Sequence, residues 1–330
     1  MLYWSQLWVK TLHFQCNTLV MRKNRVSSAN LSNLPALRHG LAKEDFQSER
    51  KTPVLSVQGG LVENSVVQGR LQRAEVNEAS GLVASRSNSQ AYWTHNDSGG
   101  KSKLFLLNDK GEDLGVFTLE GIKARDWEDI TLGPGPKAGA NYLYVGEIGD
   151  NKAKYDEKMI YRFVEPDVSQ VTSPVNKVIA NKEIETIRFQ FPDGNRDAET
   201  MMIDPASKNI YIITKREENV RVYVLRYPQS TKDLNTLEQV GTLGFHKIIA
   251  GDISPDGKEV LIKDYGNVYY WKRSGNEPIE ELLSTTPTRL PYTVEPQGES
   301  IAWKLDGGGY FTLSEERGGV EADLLFYRRK

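Results

Sequence analysis

An all-β ring of repeated four-stranded antiparallel blades, a β-propeller, is the fold class this 330-residue sequence predicts, and three observations predict it. One unit recurs five times between Glu78 and the C-terminus, each time opening on polar or acidic residues just before a short apolar strand. A second and stronger strand in each unit runs into another charged cluster. Explicit turn signals separate them, as in Asp204-Pro-Ala-Ser-Lys-Asn, Pro255-Asp-Gly-Lys and Asp306-Gly-Gly-Gly. A β-sandwich is also made of short antiparallel strands, but it gives no reason for in-register acidic starts to recur.

The first strands follow Glu78-Ala-Ser-Gly-Leu-Val, Asp126-Trp-Glu-Asp-Ile-Thr, Asp197-Ala-Glu-Thr-Met-Met, Gly251-Asp-Ile-Ser and Gly298-Glu-Ser-Ile-Ala. The second strands are Tyr92-Trp-Thr-His-Asn-Asp, Tyr142-Leu-Tyr-Val-Gly-Glu, Tyr211-Ile-Ile-Thr-Lys-Arg, Val260-Leu-Ile-Lys-Asp and Tyr310-Phe-Thr-Leu-Ser-Glu. Third strands read Leu104-Phe-Leu-Leu, Met159-Ile-Tyr-Arg-Phe, Val222-Tyr-Val-Leu, Val268-Tyr-Tyr-Trp and Leu324-Leu-Phe-Tyr. These runs are aromatic and β-branched, as strands are. Fourth strands are expected at 114–119, 185–191, 237–243 and near 286–292. The last unit stops at its third strand, so Val66-Val-Gln-Gly-Arg-Leu is expected to close the ring as its fourth. The count is five blades, with six the alternative because the spacing from Asp126 to Asp197 is long.

Composition narrows the classes. A net charge of −2 leaves no basic footprint for nucleic acid. Residues 1–43 hold six Lys or Arg and no Asp or Glu, so the remainder carries about −8. The one cysteine, Cys16, allows no internal disulfide. The aromatic stretch from Leu2 to Val20 is broken by Lys10, Gln15 and Asn17, so no transmembrane segment is expected. Residues 1–60 are read as an extension, disordered or targeting, and 61–330 as the propeller domain. The acid-free N-terminus is compatible with organelle targeting.

In a propeller the first strands begin, and the second strands end, on one face, so their polar groups meet at one mouth of the central channel. From the first strands come Glu78, Asp126, Glu128, Asp197, Glu199, Asp252 and Glu299. So many carboxylates need a bound cation, salt bridges or raised pKa values. An oxygen-only donor set suits Ca²⁺, with Mg²⁺ the alternative. Glu78, Glu128, Glu199, Asp252 and Glu299 are the candidate metal ligands, though such acids also cap loops. The second strands bring Asn96, Asp97, Asp150, Asn151, Lys215, Arg216, Lys263 and Glu315 as ligand-binding candidates. His95 and Glu147 are the candidate acid–base groups, His95 being the histidine at a strand end on the crowded face. Asp193-Gly-Asn-Arg-Asp-Ala-Glu199 has alternating oxygen donors but Ala198 where a calcium loop needs glycine, so a simple turn is expected there. In Gly146-Glu-Ile-Gly-Asp-Asn151, glycine marks close approach of a ligand or of another backbone. The tryptophans at 93, 127, 271 and 303 are read as inter-blade packing.

The phrases at 78–83, 95–99, 126–130, 144–151, 197–201, 253–257 and 295–303 together resemble a family of poorly characterised, mostly bacterial, WD40-like propeller proteins, often predicted to be exported. The resemblance spans about residues 75–330. It implies the propeller and an extracytoplasmic setting, and it implies no particular activity. The N-terminal extension departs from it in lacking an export signal. The acidic funnel is also similar, at the level of fold, to calcium-centred propeller hydrolases. Two expectations follow. One is a binding or scaffold propeller whose acidic mouth recognises a small polar ligand or a protein segment, with Ca²⁺ as cofactor. The alternative is a metal-dependent hydrolase, lactonase- or phosphoesterase-like, in which His95 or Glu147 activates water and Lys215 and Arg216 hold an anionic group.

Overall fold

The computed structural model describes residues 60–97, 101–172 and 174–330. The extension expected up to about residue 60 lies outside them. Five antiparallel sheets are formed, and each alternates turn, strand and turn as the sequence predicts. Blade 1 is β2 (Ala79–Ala84), β3 (Ala91–Asn96), β4 (Lys103–Asn108) and β5 (Asp113–Leu119). Blade 2 is β6 (Asp129–Pro134), β7 (Asn141–Glu147), β8 (Lys158–Val164) and β10 (Glu185–Gln190). Blade 3 is β11 (Ala198–Ile203), β12 (Ile210–Thr214), β13 (Val220–Leu225) and β15 (Glu238–Leu243). Blade 4 is β16 (Ala250–Ile253), β17 (Glu259–Lys263), β18 (Val268–Lys272) and β19 (Thr288–Leu290). Blade 5 is β20 (Gly298–Trp303), β21 (Gly309–Ser314), β22 (Asp323–Arg328) and β1 (Val66–Arg70). The strand at 66–70 thus closes the ring, pairing antiparallel with β22 from Val66 opposite Phe326 to Arg70 opposite Asp323.

The innermost strands touch in cyclic order, β2 to β6, β11, β16, β20 and back to β2. Five apolar clusters fill the gaps between neighbouring blades. Trp93 and Trp127 sit in the cluster between blades 1 and 2, Trp271 in that between 3 and 4, and Trp303 in that between 4 and 5. All four rings are buried, and Trp93 meets Phe117 edge-on at 4.7 Å. Their aromatic area stabilises blade-on-blade packing rather than a ligand.

One device was invisible in the sequence. The connection between the third and fourth strands of a blade crosses to the preceding blade three times. From blade 2 it lays β9 (Val175–Ile179) parallel to β5 of blade 1. From blade 3 it lays β14 (Asn235–Thr236) parallel to β10 of blade 2. From blade 4 it packs α1 (Ile279–Leu283) into the core of blade 3 beside Val220 and Leu243. The long spacing between Asp126 and Asp197 is this strap and not a sixth blade. Among the described residues, no helix is long and apolar enough to cross a membrane.

Candidate functional site

The first strand of each blade begins on the face where the second strand ends, which is the mouth. Two glutamates reach it through irregular pairing. In β11 the register shifts between Ala198 and Thr200, and in β20 between Gly298 and Ser300. Glu199 and Glu299 are therefore extra residues in β-bulges, which re-aim a side chain that regular pairing would turn elsewhere. Carboxylate oxygens of Asp97, Asp126 and Glu128 lie within 4.8 Å of one another, as do those of Glu128, Asp197 and Glu199 and those of Asp97, Glu299 and Glu315. The three triplets share members, so seven carboxylates form one continuous group.

Its electrostatics follow from burial among like charges. Glu128 is 4% exposed, and its carboxyl is driven well above the ordinary range by burial first, then by Glu199, Asp97 and Asp126. Burial raises Glu199 to about 8, with Lys215 pulling the other way. Glu315 is likewise raised to about 8 by burial and by Glu299. Asp126 is raised by burial and then by Asp197.

Cations of the chain answer part of this charge. Lys215 Nζ donates to Glu199 Oε1 and lies 3.9 Å from Glu299 Oε1. The Tyr265 ring lies 5.4 Å from the same ammonium, and its hydroxyl donates to Glu299 Oε1 at 2.5 Å. Arg216 Nε donates to Asp197 Oδ2 at 2.5 Å, with half of the Arg216 side chain in solvent. Beside Asp126, the Arg125 guanidinium stacks over the Tyr155 ring at 3.9 Å.

Gly149 decides the shape of the Asp126–Glu128 corner. A Cβ there would overlap Glu128 Oε1 and stand 2.6 Å from Asp126 Oδ2. The glycine-bent strand end read from the sequence thus admits two carboxylates against the backbone. Gly146, in the same phrase, faces the Met201 side chain of the next blade, where a Cβ would meet it at 3.1 Å.

Other candidates serve the wall of the ring. His95 has no exposed surface; its Nδ1 pairs with the Asn96 carbonyl at 2.9 Å, and its ring meets Trp127 edge-on at 5.7 Å. Gly81, at φ +75°, gives its Nε2 room, since a Cβ there would stand 3.0 Å away. Burial lowers the imidazole to about 4, so it is neutral at pH 7. Glu147 is buried and accepts from the Tyr161 hydroxyl at 3.1 Å, with Arg125 Nε 3.4 Å away. Asp150 accepts from Lys154 N, Tyr155 N and the buried Lys158 ammonium at 2.7–2.9 Å, which holds the loop after β7. Lys263 is buried, donates to the Gly298 carbonyl and lies 4.9 Å from the Tyr292 ring centre. Asn96 caps the approach to β2 through the Glu75 carbonyl at 2.7 Å. Glu78 and Asn151 are exposed.

Asp252 stands apart from the seven. Its Oδ2 accepts Trp303 N at 2.8 Å, as Asp129 Oδ2 accepts Met201 N at 2.8 Å. Each of these aspartates staples its inner strand to that of the next blade, one residue beyond the position of the glutamates. In a strand, one residue turns the side chain to the other side. Asp193 is taken up by Arg196, Arg221 and the Tyr223 hydroxyl, so the start of that segment, 193 to 199, is an ion-paired turn and its end is the first part of β11. Arg125 and Tyr265 were missed as members of the mouth. Their signal was adjacency, since Arg125 precedes Asp126 and Tyr265 follows the second strand of blade 4.

No family model and no curated protein matches this chain. Among solved structures it is similar to a chain of a nidogen–laminin complex, at 9% identity over 72% of this chain and 73% of that one, with a TM-score of 0.44. It is also similar to a luciferin-regenerating enzyme, at 10% identity over 82% of this chain and 95% of that one, again with a TM-score of 0.44. At that level neither says anything of ligand or reaction, and the five-bladed ring rests on the strand pairing itself.

Proposed function

We propose that this chain is a binding propeller whose channel mouth takes up a divalent cation, Ca²⁺ in preference to Mg²⁺, and with it a small polar ligand or a protein segment. The observation that carries the reading is Glu128. The residue is 4% exposed, stands among other acids, and makes no hydrogen bond or ion pair with any described side chain. A buried charge in that state is costly unless something else neutralises it. Oxygen donors in an irregular array favour Ca²⁺, which accepts varied geometry, over Mg²⁺, which demands an octahedron. An ion held by carboxylates on the wall keeps coordination positions open toward the channel, where ligand oxygens can complete its shell. The acid–base candidates of the hydrolase alternative, His95 and Glu147, are both buried in the wall, so binding is the reading taken.

Isothermal titration of the EDTA-treated protein with CaCl₂ and MgCl₂, paired with thermal unfolding, tests it. Saturable Ca²⁺ binding and a rise in Tm are expected, with a weaker response to Mg²⁺. No heat and no shift at millimolar Ca²⁺ would sink the reading.

A further inference from the structure

Five of the seven carboxylates, Asp126, Glu128, Asp197, Glu199 and Glu299, divide by what already neutralises them. Glu199 and Glu299 share the Lys215 ammonium, Glu299 also receives the Tyr265 hydroxyl, and Asp197 holds Arg216. That side of the mouth carries its own cations. On the other side, no lysine or arginine nitrogen among the described residues comes within 4.0 Å of the carboxylates of Asp126 or Glu128. Glu128 is the buried, unpartnered member, and Gly149 leaves the gap into which it and Asp126 fit.

Spacing agrees with one ion there. Oxygens bound at about 2.3–2.6 Å to a common Ca²⁺ stand at most about 4.6–5.2 Å apart. The donor oxygens of Asp97, Asp126 and Glu128 all lie within 4.8 Å of one another. Asp97 follows the second strand of blade 1 and the other two open blade 2, so an ion among them would bridge two blades. In the adjoining sector, Lys215 already stands between two glutamates. A metal ion there would face a fixed positive charge in a site where water screens poorly.

We infer that the mouth is a single-ion site: Asp97, Asp126 and Glu128 ligate one Ca²⁺, and Lys215 is a tethered ammonium that keeps a second metal ion out of the Glu199–Glu299 sector. This rests on the cation-binding reading above and assigns its ligands and stoichiometry. Lys215 is thereby a specificity-determining residue, because it turns a ring of acids that could hold two ions into a site for one.

Equilibrium dialysis with radioactive Ca²⁺, counting ions per chain in the full-length protein, decides it. Wild type is expected to hold one ion and Lys215→Met two. Glu128→Gln, of unchanged size, is expected to lose at least a hundredfold in affinity, and Glu299→Gln to change it less than threefold. Two ions in wild type, one ion still in Lys215→Met, or an ion lost in Glu299→Gln but kept in Glu128→Gln would overturn the assignment while leaving cation binding intact. No ion bound by any variant would overturn cation binding itself. Should Lys215→Met fail to fold, the Glu128→Gln and Glu299→Gln pair decides alone.

Discussion

The two faces of the propeller handle charge in opposite ways. Away from the mouth, neighbouring blades are clamped by hydrogen bonds and ion pairs that join charged groups to partners on the next blade. Glu165 of blade 2 receives Ser85 Oγ, Ser87 Oγ, the Trp93 indole N–H and two backbone N–H groups of the first turn of blade 1, at 2.6–3.2 Å. Arg273 of blade 4 forks onto Asp204 of blade 3, and Arg329 of blade 5 forks onto Glu259 of blade 4. At the mouth the same chain concentrates carboxylates and leaves Glu128 unanswered. Clamps of the first kind hold the ring together, whereas unanswered charge is kept at a cost in stability and is where a ligand has something to supply.

The contrast is easiest to break on the clamped face, where the largest effect is expected. Glu165→Ala strands five donors, two of them backbone, and should lower stability by about 3–4 kcal/mol in urea denaturation. A loss under 1 kcal/mol would mean the clamp is not what joins blades 1 and 2.

Gly149→Ala should come next. The added methyl collides with Glu128 and Asp126, and forcing such a group into a filled space destabilises by about 1–3 kcal/mol. Calcium titration should show affinity falling at least tenfold alongside. Unchanged affinity would say that the corner near Gly149 is not the site.

Glu128→Gln sharpens the comparison because its sign is reversed. Removing a buried charge held among like charges should raise the stability of metal-free protein by about 1–2 kcal/mol, while the protective effect of Ca²⁺ disappears. Destabilisation would place Glu128 with the structural clamps.

The smallest effect is a slope. Burial pushes the Asp252 carboxyl to about 7 in the folded chain, above its unfolded value near 3.8. The folded state therefore binds the extra proton between those values, and the Asp252 contribution weakens as pH rises from about 4 to 7, then levels off. Asp252→Asn should leave the Trp303 hydrogen bond in place and remove that decline. Thermal melts of both proteins at half-unit steps from pH 4.5 to 8 measure it, and parallel profiles would refute it.

The blades were legible in the sequence because each strand buries one or both faces, and burial writes aromatic and β-branched residues at short, regular spacing. Strand β1 was legible for the same reason, joined to the visible gap at the end of the last unit. The straps were not. Val175-Asn-Lys-Val-Ile adds to an edge, stays half exposed and carries no strong pattern, and the two-residue β14 has none. The location of the acidic mouth could be read, but not who sits in it. Asp252 looked like an equivalent of the four candidate glutamates, yet only strand register separates a channel ligand from an inter-blade staple, and bulges at Glu199 and Glu299 shift that register without a sequence signature. His95 looked poised at a strand end, and burial against Trp127 made it part of the wall.

The ring is fastened by pairing residues 66–70 with residues 323–328, so the first of the described strands waits for the last of them. Until β22 leaves the ribosome, Val66 and Val67 have no strand to pair with. Pairing across more than 250 residues is slow to find. A chain stalled before residue 323 therefore offers an open, apolar blade edge to whatever strand or chaperone meets it first.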